Sequence, residues 1–154
     1  VTNQSAILRG LWDEHRLHQI HNHMREQFLN QDPDAHFDMI LACPHRNRDR
    51  CKCRKPMPGM LRFGERWLRG ESDDEIGELV GQLLPNDGDV DWWGEKPSRE
   101  NPHDCMVGDR GSDMGAGWAC GLRLFQTNEF EGIAAVAERI LDDGDSGDSF
   151  HPVR

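Results

Sequence analysis

Between Cys43 and Cys53 the chain places three thiols and one imidazole, those of Cys43, His45, Cys51 and Cys53, within eleven residues. Four nitrogen and sulfur donors at this spacing suit tetrahedral zinc, and a site with four protein ligands has no open position, so its role is structural. The intervening Arg46-Asn47-Arg48-Asp49-Arg50 has no apolar residue to hold it, and metal ligation would supply the missing folding energy. The alternative, reduced cysteines in a surface loop, fits poorly, because free cysteine is usually buried and isolated rather than clustered among polar residues. Cys105, heading an apolar strand, and Cys120, ending a helix, read as small core hydrophobes. His15, His18 and His21 recur every three residues with His23 beyond them, but Leu17, Ile20, Met24 and Phe28 account for a helix without them. These histidines read as solvent-facing.

The elements that must position this chemistry alternate in type. A helix is expected from Leu11 to Asn30, stopped by Asp32-Pro33-Asp34, and a buried strand over Phe37–Ala42 running into Cys43-Pro44. Pro58-Gly59 opens a second helix closed by Gly70, and Ser72 with Glu75 forms a capping box for a third over 72–84. Residues 85–104 read as a polar loop around Trp92-Trp93. A strand at Cys105–Val107, a helix over 112–120, a strand at Leu122–Phe125 and a helix from Thr127 or Asn128 to Leu141 complete the pattern. The acidic 142–154 tail reads as disordered. Strands alternating with helices imply an α/β fold with a parallel sheet, whose ligands sit beyond the strands' carboxyl ends. The opening Val1-Thr2 reads as the last step of a buried strand, so an N-terminally truncated chain is expected.

With 154 residues the chain suffices for one domain. Its 18 Lys and Arg against 28 Asp and Glu leave a net charge of -10, which argues against a nucleic-acid binder or a protein of anionic membranes. No apolar run approaches membrane-helix length, and the start does not resemble a signal peptide. Five cysteines, an odd number, suit metal chemistry in a reducing compartment. A cytoplasmic monomer is expected.

Cys53 is followed at once by Arg54-Lys55-Pro56 and then Pro58-Gly59-Met60. Together with Val1-Thr2-Asn3-Gln4-Ser5…Arg9-Gly10 and Val107-Gly108-Asp109-Arg110-x-x-Asp113, this resembles the haloacid dehalogenase superfamily. Within it the sequence is similar to the zinc-containing D-glycero-D-manno-heptose 1,7-bisphosphate phosphatases and the related histidinol-phosphate phosphatases. The resemblance covers residues 1–69 and 103–126. It implies a Rossmann-like parallel sheet, lacking here its N-terminal strand, over residues 1–141, with the zinc loop at 43–55 and an insertion at 71–104. It further implies phosphate-monoester hydrolysis through an aspartyl-phosphate, with Mg²⁺ at the sheet's carboxyl edge and a small phosphorylated sugar as partner. Thr2 would hold the transferring phosphoryl group while Asn3, Gln4 and Ser5 line the substrate site. Lys55 would neutralise phosphoryl charge, and Arg54 and Arg110 would contact substrate. Asp109 would ligate Mg²⁺, and Asp113 would support the site by orienting Lys55. Such roles agree with phosphoryl transfer, which is catalysed by positioning and by cations on equatorial oxygens.

The family's strand-end Asp-x-Asp, its nucleophile and general acid, has no match here. Asp32-x-Asp34, Asp87-x-Asp89, Asp89-x-Asp91 and Asp143-x-Asp145 have the spacing, but each sits in a polar segment. The nucleophile is therefore expected upstream, and the chain as given is expected to be inactive. The short five-residue spacer of the zinc loop leans toward the histidinol phosphatases, whereas Ser5…Arg9-Gly10 and Pro58-Gly59-Met60 lean toward the heptose enzymes. A different class of protein, a non-catalytic zinc-binding remnant, would keep the metal and show no turnover.

Overall fold

The computed structural model describes residues 1–82, 91–92 and 94–152. It is a mixed α/β chain with two parallel strand pairs. β1 (Thr2–Asn3) pairs with β2 (Ala42–Cys43), Thr2 facing Ala42 and Asn3 facing Cys43. β3 (Cys105–Gly108) pairs with β4 (Arg123–Gln126) from Cys105 against Arg123 to Gly108 against Gln126. The strand expected over Phe37–Ala42 is thus shorter and shifted: β1 offers two residues of ladder, so only Ala42–Cys43 is paired, through Thr2 N–H to Leu41 O at 2.8 Å and Gln4 N–H to Cys43 O at 2.7 Å.

Crossover helices separate the strands. α1 (Glu14–Gln31) starts three residues later than expected because the Asp13 carboxylate accepts from Arg16 N–H at 2.8 Å, an N-cap that satisfies one of the unpaired first-turn amides. Its apolar stripe is only partly covered: Leu17 is buried, Ile20 and Phe28 are exposed, and Phe28 meets Phe37 edge-on at 5.0 Å. His15, His18 and His23 face solvent, but His21 is half-buried, and burial, then neighbouring His18, lowers its pKa.

α2 (Gly59–Leu68) ends at Arg69, with Gly70 in the left-handed region as its sequence position requires. α3 (Asp73–Gln82) carries the expected capping box: Ser72 Oγ donates to Glu75 Oε2 at 2.7 Å, and Ser72 N–H donates to the same oxygen at 3.0 Å. Ile76 is fully buried; the side chains of Leu79 and Val80, and residues Leu83, Leu84 and Trp93, lie outside the described residues. α4 (Gly111–Ala119) lies over β3 and β4, and Met106, Met114 and Leu124 form the core between them. Cys120 is buried in this region and Cys105 is half-buried; desolvation pushes both thiols up, that of Cys120 to about 11.

Two expectations at the C-terminal end change. The last helix does not run from Asn128: the Asn128 carboxamide oxygen accepts from Phe130 and Glu131 N–H, a 3₁₀ segment follows at Gly132–Val136, and only α5 (Ala137–Leu141) is α-helical. Nor does the acidic segment trail free from Leu141. Ser149 N–H donates to Leu124 O at 2.8 Å, and the Asp148 carboxylate accepts from Leu124 N–H at 2.8 Å and pairs with Lys96. Asp145 binds Arg139 at 2.7 Å, and the Phe150 ring meets Trp92 at 5.5 Å, tilted by 59°, while Trp92 in turn meets Trp118 at 5.7 Å. Residues 145–150 therefore line the outer edge of β4, where unpaired strand groups would otherwise face solvent.

Candidate active site

The carboxyl ends of β1 and β3 open onto one polar cavity of about 470 Å³. Thr2, Asn3, Gln4 and Ser5 enter it from β1 and its turn, Arg54, Lys55 and Pro56 from beyond β2, and Asp109, Arg110, Ser112 and Asp113 from the β3–α4 junction. All of the residues expected to bind phosphoryl group, substrate or Mg²⁺ line this space. Residues 52 apart in sequence meet because backbone and side-chain groups lock the loops together. Asn3 Nδ2 donates to Lys55 O and Lys55 N–H donates to Asn3 Oδ1, each at 3.0 Å. Gln4 Nε2 donates to Thr2 Oγ1 at 3.1 Å, which leaves the Thr2 hydroxyl proton free for an acceptor in the cavity.

Lys55 is nearly buried, at 10% side-chain exposure, and its ammonium forms an ion pair with Asp113 and donates to Val1 O at 2.9 Å. Asp113 is itself 5% exposed and also accepts from Arg110 N–H at 3.1 Å, closing the first turn of α4. Gly108 makes this possible: a Cβ there would lie 2.4 Å from Asp113 Cβ. Asp109 and Arg110 are exposed, their charged groups 3.7 Å apart. Three cations and two carboxylates thus line the cavity among the described residues, a local positive excess on a chain of net charge -10.

The metal loop forms one flank. Donor atoms of Cys43, His45 and Cys51 all lie within 4.8 Å of one another. Cys43 Sγ is 3.8 Å from Cys51 Sγ and 3.6 Å from His45 Nδ1. With metal–sulfur bonds of about 2.3 Å and metal–nitrogen bonds of about 2.0–2.1 Å, the corresponding edges of a tetrahedral site are about 3.8 and 3.6 Å. The donor set therefore fits a tetrahedral thiophilic ion. Cys53 falls outside this trio, although its thiol interacts with that of Cys51. Burial, with the adjoining Cys51 adding to it, pushes the Cys43 thiol up to about 12.

The loop is braced at three points, two to its surroundings and one within it. Gly59 N–H donates to Lys52 O at 3.1 Å, an approach that a Cβ on Gly59, 2.5 Å from that oxygen, would block. The Lys52 ammonium reaches Gly81 O at the end of α3, and Arg54 Nη1 donates to His45 O at 2.9 Å. Two lining residues were not singled out from sequence. Ser112 lies inside the Asp109–Asp113 motif, which is the signal that could have found it; Asn47 lies in the loop's polar run, where nothing in its type or spacing marks it.

Sequence comparison places the chain among relatives named as phosphatases. It is 41% identical over 88 residues to the D-glycero-beta-D-manno-heptose-1,7-bisphosphate 7-phosphatase of Pseudomonas aeruginosa, covering 51% of this chain and 47% of that protein. It is 44% identical over 62 residues to the corresponding enzyme of Bordetella bronchiseptica, covering 40% of this chain and 34% of the relative. The histidine biosynthesis bifunctional protein HisB of Blochmanniella floridana is 36% identical over 74 residues, 48% of this chain and 19% of that protein. The resemblance read from the motifs is borne out, and the chain spans less than half the length of these curated relatives. No family model and no solved structure matches.

Proposed function

We propose that this chain carries the phosphoryl- and substrate-binding part of a Mg²⁺-dependent phosphate-monoester hydrolase of the haloacid dehalogenase type, acting on a sugar bisphosphate. The observation that carries this reading is the convergence of Thr2, Lys55, Asp109 and Arg110 on one polar cavity at parallel-strand ends. Thr2 donates its free hydroxyl proton to a phosphoryl oxygen, and Lys55, oriented by Asp113, neutralises charge beside it. Arg54 and Arg110 engage the rest of the anion, and the Asn3–Ser5 turn bounds the sugar. Mg²⁺, held through the exposed Asp109 carboxylate, would supply Lewis-acid neutralisation of phosphoryl charge. Zinc on Cys43, His45, Cys51 and Cys53 would hold the loop that carries Arg54, a structural role in keeping with its closed donor set. Clustered thiols that must stay available to metal suit the reducing cytoplasm.

No strand-end Asp-x-Asp lines the cavity among the described residues, so no bond-breaking step is assigned to them, and this chain by itself is expected to bind phosphate without turnover. In any preparation of the protein that releases phosphate from heptose 1,7-bisphosphate, Asp109→Asn is expected to abolish Mg²⁺-dependent release while leaving the loop metal bound. Release that survives this substitution would overturn the placing of Mg²⁺ and the reading built on it. Histidinol phosphate is the second substrate to test, because one relative acts in histidine biosynthesis by name.

A further inference from the structure

The phosphoryl-binding groups leave two polar side chains of the cavity without a role, Asn47 on the metal loop and Ser112 on α4. Asn47 is the first residue of a single 3₁₀ turn, Asn47–Asp49, whose ends are both fixed. Asp49 Oδ2 accepts from Arg46 N–H at 2.7 Å, and Asp49 N–H and Arg50 N–H donate back to Arg46 O and Asn47 O. The turn is held while the Asn47 carboxamide makes no hydrogen bond within the described residues, so a donor pair and an acceptor face solvent at the cavity wall. Ser112 brings a hydroxyl from the β3–α4 side. No aromatic ring lines this cavity among the described residues, so a flat leaving group would find no stacking surface, whereas amide and hydroxyl groups match the donor and acceptor pattern of a polyol.

We infer that Asn47 is a specificity-determining residue that hydrogen-bonds a hydroxyl of the substrate's sugar, with Ser112 contacting the sugar from the α4 side. This rests on the sugar-phosphate reading given above. A site that hydrogen-bonds a hydroxyl discriminates against a ligand lacking it, and one such bond corresponds to about a five- to tenfold change in affinity.

The test is calorimetric titration of the metal-loaded chain, with Mg²⁺ present, using two probes: inorganic phosphate and D-glycero-D-manno-heptose 1,7-bisphosphate. Asn47→Ala is expected to weaken heptose bisphosphate about five- to tenfold, to change phosphate affinity less than about twofold, and to keep the wild-type metal content. Ser112→Ala, which places a better helix former in α4, is expected to show the same split and guards against a folding artefact in the loop variant. Equal losses for both probes, or no loss for the sugar in either variant, would overturn the assignment while leaving the phosphoryl site standing. If the wild-type chain binds neither probe, the phosphoryl reading and this inference fall together.

Discussion

Lys55 and Asp113 show how tightly function and stability are joined at this site. The pair is buried, and Asp113 also closes the first turn of α4 through Arg110 N–H. Removing one partner of a buried pair strands the other charge, at a cost of about 3–5 kcal/mol. Asp113→Asn is therefore expected to lower unfolding free energy by about that amount in urea denaturation, and a change under 1 kcal/mol would show that the pair is better hydrated than its burial indicates. Cys51→Ser is expected to remove the loop metal and to cost about 4 kcal/mol or more, read as metal content and thermal midpoint in one experiment; unchanged stability would count against a structural ion. These residues were legible in the sequence because their spacing is local: the donor cluster and the Asp109–Asp113 motif each occupy a short stretch. Asn47 was not, since an unpaired carboxamide on a cavity wall has no local signature.

Elements with caps and periodic apolar faces were the easier ones to anticipate. Ser72 and Glu75 start α3 as their spacing requires, and β3 and β4 fall within a residue of their apolar runs. The composition of 142–154 is that of a solvated tail, whereas the attachment of residues 145–150 is non-local. Arg139 grips Asp145, Lys96 grips Asp148, and Phe150 joins Trp92. The attachment has a pH signature. The Arg139 side chain first, then Gly147 N–H, holds the Asp145 carboxyl down to about 2. A carboxylate depressed in the folded state contributes stability that is complete above its unfolded value, near 3.9, and that is lost as pH falls through the folded value. Acid unfolding should accordingly show a limb between about pH 4 and 2 that Asp145→Asn flattens; an identical acid limb in the variant would mean that this pair does not hold residues 145–150 in place.

At the scale of the whole molecule, a chain of net charge -10 gathers Arg54, Lys55 and Arg110 at one polar cavity, and the metal loop, β1 and the β3–α4 junction are interlocked around it by Asn3, Lys55 and Asp113. Strand alternation with helices announced the α/β class, but the pairing of short strands depends on partners that periodicity does not reveal. The most direct measurement is phosphate affinity of the metal-loaded chain, with Mg²⁺ present, for wild type against Thr2→Val. The substitution keeps the β-branched shape and removes the hydroxyl that Gln4 orients. Saturable phosphate binding that weakens about tenfold in Thr2→Val is the predicted result, the scale of one hydrogen bond to a charged group. Absence of binding in the wild type, or binding indifferent to the lost hydroxyl, would contradict the account.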